Sequence, residues 1–241
     1  MHGQKTLKNN HQFQGGMRIL HVAALSTSDI QPPDEALSSL PERIGLAATV
    51  QHLTTAEGIA RRLRRMGKSP LILKGAHAAC SGQVLRCSTF PESELSSVDA
   101  ILFIGSGSFH AKALSLRTGK SVITYNPLSG EMAALGQGDI DALRRKERAG
   151  LAAFHAATRV GVLFSTKSGQ SALQLGIGDA ETLASRFPDK EFFLLVDNTL
   201  SLQALEDFPF IDCFVNTACP NLAFDEGFPR PVVNAEALPT F

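Results

Sequence analysis

Short apolar runs alternate with amphipathic stretches along most of the chain. MRILHVAAL (17–25) and RIGLAATV (43–50) predict strands. In TAEGIARRLRRMG (55–67) the apolar residues recur at helical spacing, and Gly67 supplies a C-terminal stop. Further strands are predicted at 70–74, 98–107 and 121–127, with a helix at 109–119. A long helix at 139–157 leads into strands at 159–166, 191–198 and 211–218, with helices at 179–187 and 200–208 between them. The strands are nearly continuous in apolar residues, as strands covered on both faces are. The fold class is therefore α/β: parallel sheets with helices on both faces.

The pattern also repeats. IGLAATVQHLTTAEGIARRLRRMGKSPLIL runs on to VDAILFIGSG, and VGVLFSTKSGQSALQLGIGDAETLASRFPDKEFFLLV runs on to IDCFVNTACP. Ile44 lies 55 residues before Asp99, and Val160 lies 52 before Asp212. The same element order at the same spacing predicts two related α/β domains, at 17–138 and 139–241. The polar residues 1–16 read as a loose tail. In parallel sheets ligands collect beyond the carboxyl ends of the strands. Three polar loops fall there: GSGSFH (105–110), STKSGQ (165–170) and NTACP (216–220).

Composition narrows the function. Of the 241 residues 44% are hydrophobic, enough for one large core or two small ones. The 23 basic residues balance 23 acidic ones, and there is one Tyr and no Trp. That leaves no electrostatic or stacking argument for direct nucleic-acid binding. The cluster Arg61, Arg62, Arg64, Arg65 and Lys68 reads as a solvated helix face. No apolar run reaches the roughly 20 residues that span a bilayer, so no membrane segment and a cytoplasmic location are expected. Four cysteines, Cys80, Cys87, Cys213 and Cys219, would then sit where structural disulfides are rare.

The candidate chemistry lies in the loops. Gly105, Ser106, Gly107 and Ser108 open a helix, where backbone N–H groups favour a phosphate or carboxylate, but from composition alone tight-turn geometry is the better explanation of them. Lys167, with Gly169 and Gln170, either meets a carboxylate or is an exposed loop lysine. No Cys-x-x-Cys spacing occurs, which argues against a zinc knuckle. Cys213 alternates with apolar neighbours and reads as core packing. Cys80 sits in a loop. Cys87 and Cys219 are either inert or dispersed thiolate ligands of one iron–sulfur centre.

Taken in order, GLAATVQHL, GQVLRC, ILFIGSGSFH, TGKSVITYNPLSGEM, STKSGQ and DCFVNTACP resemble the diphthamide-biosynthesis family, the 2-(3-amino-3-carboxypropyl)histidine synthases. The resemblance covers residues 17–241. It implies a protein built of three related α/β domains, each giving one cysteine to a 4Fe–4S cluster. It also implies cleavage of S-adenosylmethionine to a 3-amino-3-carboxypropyl radical that alkylates a histidine of elongation factor 2. By motif, Cys87 matches the middle-domain ligand and Cys219 the last-domain ligand, while the Gly105–Ser108 loop and the Lys167, Gly169, Gln170 loop match strings near the sulfonium substrate. The chain begins where the family's second domain begins, Arg86 stands where the family has glycine, and Cys80 and Cys213 match no family ligand position. Cys80 is a candidate third thiolate; a homodimer or a related subunit in a heteromer is the other source.

Three functions follow: a family enzyme lacking its first domain, a non-catalytic partner or ligand-binding member of the same family, or a doubly wound enzyme that binds a phosphate ligand at GSGSFH.

Overall fold

The computed structural model describes residues 24–238 apart from 28, 77, 86–87, 168–177 and 225–226. All but two residues of the strand expected at 17–25 lie outside that range. The chain divides into two compact units between Gly136 and Gln137.

The first unit contains α1 (Asp34–Ser38), β1 (Arg43–Ala48), α2 (Leu53–Arg65), β2 (Ser69–Ile72), α3 (Glu92–Ser96), β3 (Ala100–Ile104), α4 (Phe109–Thr118), β4 (Ser121–Asn126) and β5 (Glu131–Ala134). Its sheet has the order β2-β1-β3-β4-β5, parallel except for β5. Side chains alternate across a strand, so the apolar run of β3 serves two cores. Ala100, Leu102 and Ile104 pack with Ile59, Ala60 and Leu63 of α2 and Leu37 of α1. Ile101 and Phe103 pack with Leu95 of α3 and Ala111 and Leu114 of α4 on the opposite face. Helix α2 ends as its sequence predicts: Gly67, at φ 79°, follows the last turn, and the Lys68 N–H reaches back to the Leu63 carbonyl at 3.0 Å.

The second unit contains α5 (Gln137–Ala156), β6 (Arg159–Ser165), α6 (Gly178–Arg186), β7 (Glu191–Asp197), β8 (Cys213–Asn216) and β9 (Val232–Asn234). Its four strands are parallel in the order β7-β6-β8-β9, matching β2-β1-β3-β4 of the first. Val160, Val162, Cys213 and Val215 face Phe154 of α5 and Leu183 of α6. Leu163 and Phe214 face the other way, against Leu205 and Ala223 in two 3-10 turns, Gln203–Asp207 and Pro220–Phe224. The helix expected at 200–208 is thus a single 3-10 turn. Strands β5 and β9 have no counterpart among the expected elements; each is placed by pairing with its neighbour, β4 and β8.

Contacts repeat along with topology. Arg43 opens β1 and pairs with Asp99, the residue before β3. Arg159 opens β6 and pairs with Asp212, the residue before β8, at 3.1 Å. In each unit the aspartate N–H also bonds the arginine carbonyl, at 2.8 and 2.9 Å. A lysine immediately precedes the second strand of each unit. Lys68 donates to the carbonyls of Ser38, at 2.8 Å, and Leu40. Lys190 donates to those of His155 and Ala157, at 3.0 and 2.7 Å. Each lysine therefore ties the start of its unit's second strand to the segment entering the first. The basic face of α2 is accordingly not all solvated: Arg62 donates to the Pro32 carbonyl at 2.7 Å and pairs with Asp34.

Helix α5 lies against β9 at Gly150. A Cβ there would stand 2.3 Å from the Val232 carbonyl oxygen. Gly150→Ala is expected to lower stability by about 1–3 kcal/mol, read as a lower urea midpoint at unchanged slope.

The aspartates predict a pH dependence. The Arg43 side chain holds the Asp99 carboxyl below its ordinary 3.8, and the Arg159 backbone N–H, then its side chain, does the same for Asp212. Folding favours their ionised forms, so this stabilisation is complete above the unfolded value and is lost as pH falls through the depressed folded ones. A double variant, Asp99→Asn with Asp212→Asn, is expected to be less stable at pH 7. Its circular dichroism should then change less than the parent's as pH falls below about 4.

Candidate functional site

The polar loops lie at the carboxyl edges of the sheets. In the first unit, residues 82–84 run beside the end of β1: the Ala48 N–H donates to the Gly82 carbonyl at 2.7 Å, and the Val84 N–H to the Ala48 carbonyl at 2.9 Å. This pairing holds the GQV that precedes Leu85. Cys80 is half-buried in the turn before it, and its N–H donates to the Gln83 side-chain oxygen at 3.3 Å. Cys87 lies outside the described residues.

The Gly105–Ser108 loop leaves the same edge after β3. The Gly105 N–H donates to the Tyr125 carbonyl at 3.0 Å, and a Cβ there would stand 2.8 Å from the Phe103 ring. Gly107 takes φ 75°, which glycine adopts without strain. Ser106, Gly107 and Ser108 are exposed, and the Ser108 side chain makes no capping bond to α4. Close packing at Gly105 and the positive φ at Gly107 account for the two glycines of this loop.

A polar cluster absent from the sequence reading sits near the same edge. The Asp29 carboxylate meets His52 Nδ1 at 2.8 Å and accepts the Thr55 hydroxyl. Burial pushes the Asp29 carboxyl up, but hydrogen bonds from Ser26, Thr55 and His52 outweigh it and leave the group below its ordinary value. Together with Tyr125, whose hydroxyl donates to the Ile30 carbonyl at 2.7 Å, it pins residues 29–30 to this unit.

In the second unit Lys167 is exposed beyond β6, its N–H donating to the Ser165 hydroxyl at 3.3 Å. Gly169 and Gln170 lie outside the described residues. The two cysteines of this unit sit at opposite ends of β8. Cys213 opens the strand, is fully buried among Phe154, Val160 and Val233, and burial pushes its thiol up to about 12. It is a core residue held as the neutral thiol. Cys219, beyond the last residue of β8, is half-buried and free.

The Cys219 turn hangs on buried carboxamides. Asn216 ends β8 and is the register partner of Asn234, which ends β9. Asn216 Nδ2 donates to Asn234 Oδ1 at 2.8 Å and to the Cys219 carbonyl at 2.9 Å, and its Oδ1 accepts the Ala218 N–H at 3.1 Å. Asn234 Nδ2 donates to the Pro220 carbonyl at 2.9 Å. The Thr217 hydroxyl bonds the Leu163 carbonyl at 2.8 Å, tying the turn to β6. Asn221 Nδ2 lies 3.4 Å from the Cys219 sulfur. Sequence reasoning missed these three asparagines. The one available signal was an asparagine at the end of an otherwise apolar strand, where a buried amide must be fully bonded.

The chain matches the model of the family described as "Putative diphthamide synthesis protein" over residues 3–238. The chain belongs to the diphthamide synthesis family. It is 29% identical over 207 residues to the 2-(3-amino-3-carboxypropyl)histidine synthase of Pyrococcus horikoshii, covering 84% of this chain and 58% of that one. It is 26% identical to subunit 1 of that synthase from Caenorhabditis elegans, covering 80% of this chain and 48% of that one. The chain thus spans about half the length of these relatives. Among solved structures it resembles Dph2 from Pyrococcus horikoshii with a 4Fe-4S cluster, with TM-score 0.72 and 27% identity over 85% of this chain and 58% of that one.

These residues can be tested against such a cluster. Cys219 fits as one ligand: it is a free, partly accessible thiol on a fixed turn, with an N–H donor at its sulfur. Cys213 does not fit, because it is sealed in the core as a neutral thiol. Among the described residues no three His, Cys, Asp or Glu side chains converge on one point.

Asn216→Leu is expected to strand the Asn234 oxygen and the Ala218 N–H, costing about 1–3 kcal/mol for each buried group left unpaired, while the Cys219 carbonyl keeps the Leu222 N–H. Urea unfolding measures the loss. Faster alkylation of Cys219, with Cys213 still protected, would show that the turn itself has loosened.

Proposed function

We propose that this chain works in the first step of diphthamide synthesis, as part of an enzyme that transfers a 3-amino-3-carboxypropyl group from S-adenosylmethionine to a histidine of elongation factor 2. The observation that carries the reading is Cys219. A free thiol stands at the carboxyl edge of a parallel sheet, on a turn braced by buried amides, in a chain whose relatives are named for this synthase.

In this reading Cys219 holds one iron of a 4Fe–4S cluster and Cys87 a second. The third thiolate comes from Cys80 or from another subunit, either a second copy or a related chain. When bound, the cluster would supply the electron that breaks one carbon–sulfur bond of the sulfonium, leaving a neutral thioether and the 3-amino-3-carboxypropyl radical. The chain's own residues position the reactants. Exposed N–H groups at Ser106–Ser108 open toward a carboxylate, where the start of α4 favours negative charge. Lys167, with Gly169 and Gln170, offers a cation to the same class of group. Asn216 and Asn234 hold the Cys219 backbone in place, so that a ligand exchanged at iron does not drag the turn with it. A cytoplasmic protein with no nucleic acid of its own suits a substrate that is itself a folded protein.

Anaerobic reconstitution with iron and sulfide tests the reading. The parent is expected to hold iron with a broad visible absorption. Cys219→Ala and Cys87→Ala each lose it, and Cys213→Ala keeps it. Loss in Cys80→Ala assigns the third thiolate to this chain, whereas retention assigns it to a partner. Iron content indifferent to Cys87 and Cys219 overturns the ligand assignment. Iron bound without transfer to elongation factor 2, alone or with a related subunit, favours a non-catalytic partner of the same family instead.

A further inference from the structure

The ligand reading leaves one contact unused: the carboxamide of Asn221 against the Cys219 sulfur. Asn221 is 5% exposed, in the 3-10 turn Pro220–Phe224. Its Nδ2 is 3.4 Å from Sγ, within the range of an N–H···S hydrogen bond. The main chain of Cys219 is already held by other groups: its carbonyl accepts Asn216 Nδ2 at 2.9 Å and the Leu222 N–H at 2.9 Å. Asn221 is thus not needed to place the backbone. Among the described contacts, its carboxamide meets the sulfur alone.

We infer that Asn221 is a positioning residue for the Cys219 thiolate, orienting the sulfur and setting the reduction potential of the cluster it would hold. This rests on the reading of Cys219 as a ligand. An electron added to an iron–sulfur centre increases the negative charge on its sulfurs, and a donor at one sulfur stabilises the reduced form more than the oxidised form. Removing the donor therefore lowers the potential. Loss of such an outer hydrogen bond also weakens metal retention, typically by about 10–100-fold.

The test uses the anaerobically reconstituted chain. Asn221→Leu removes the donor at similar volume; Asn221→Asp keeps the shape, replaces the donor with an acceptor, and decides the matter should the leucine variant fail to fold. Either variant is expected to take up parental amounts of iron and sulfide. Its midpoint potential should fall, and it should lose iron to a chelator about 10-fold faster. Parental potential and parental iron release in a fully loaded variant overturn the inference. A parent chain that retains no iron is a different failure, which removes the ligand reading itself. In the cluster-free chain, Asn221→Leu is expected to lower Tm more in the parent than in Cys219→Ala; equal shifts would show that the contact is not made.

Discussion

The side chains of Asn216 and Asn234 bridge the ends of two neighbouring parallel strands, and the Cys219 turn hangs from that bridge. A parallel sheet covered on both faces can present chemistry only where its strands stop. There the backbone leaves the ladder, and each N–H and carbonyl that stays buried needs a new partner. A carboxamide is suited to this, because it carries two donors and an acceptor without charge. Asn216 uses all three on Asn234, Cys219 and Ala218. The result is an irregular segment held by side-chain hydrogen bonds, with Cys219 half-buried on it.

The two units solve the same packing problem with the same parts. Each has a central strand opened by an arginine, a neighbouring strand announced by an aspartate, and a lysine that closes the connection. The ion pairs are solvent-exposed, and such pairs contribute little to stability on their own. Their value lies in register, since each aspartate accepts from the arginine side chain while its own N–H bonds the arginine carbonyl. The lysines differ from them. Lys190 is buried to its tip, where its ammonium meets the carbonyls of His155 and Ala157 and the Asp189 carboxylate. The units diverge in their second covering layer: helices α3 and α4 in the first, two 3-10 turns in the second.

The three described cysteines differ in their surroundings. Cys213 and Cys219 belong to one strand and its exit, yet burial makes the first inert while the turn leaves the second available. Cys80 shares with Cys219 a place beyond a strand end and half-burial, but has no carboxamide at its sulfur among the described contacts. Exposure and neighbours, rather than spacing in the chain, set what each thiol can do.

The sequence alone determined the class of the fold, because short continuous apolar runs and stretches of period 3.6 are local signals that survive without tertiary context. It determined the repeat for the same reason, from Ile44 and Asp99 against Val160 and Asp212. The ordered motifs carried the family, and the placement of loops at strand ends pointed to Cys219. Only the tertiary structure decided the rest. Strand β9 is three residues long and takes its place from pairing with β8. The helix expected at 200–208 is held to one 3-10 turn, with Leu205 inserted under the sheet. The Asn216–Asn234 bridge joins residues 18 positions apart, and no local pattern announces it. An asparagine's role depends on which buried donors and acceptors the fold brings within 3 Å, and only the folded chain determines that.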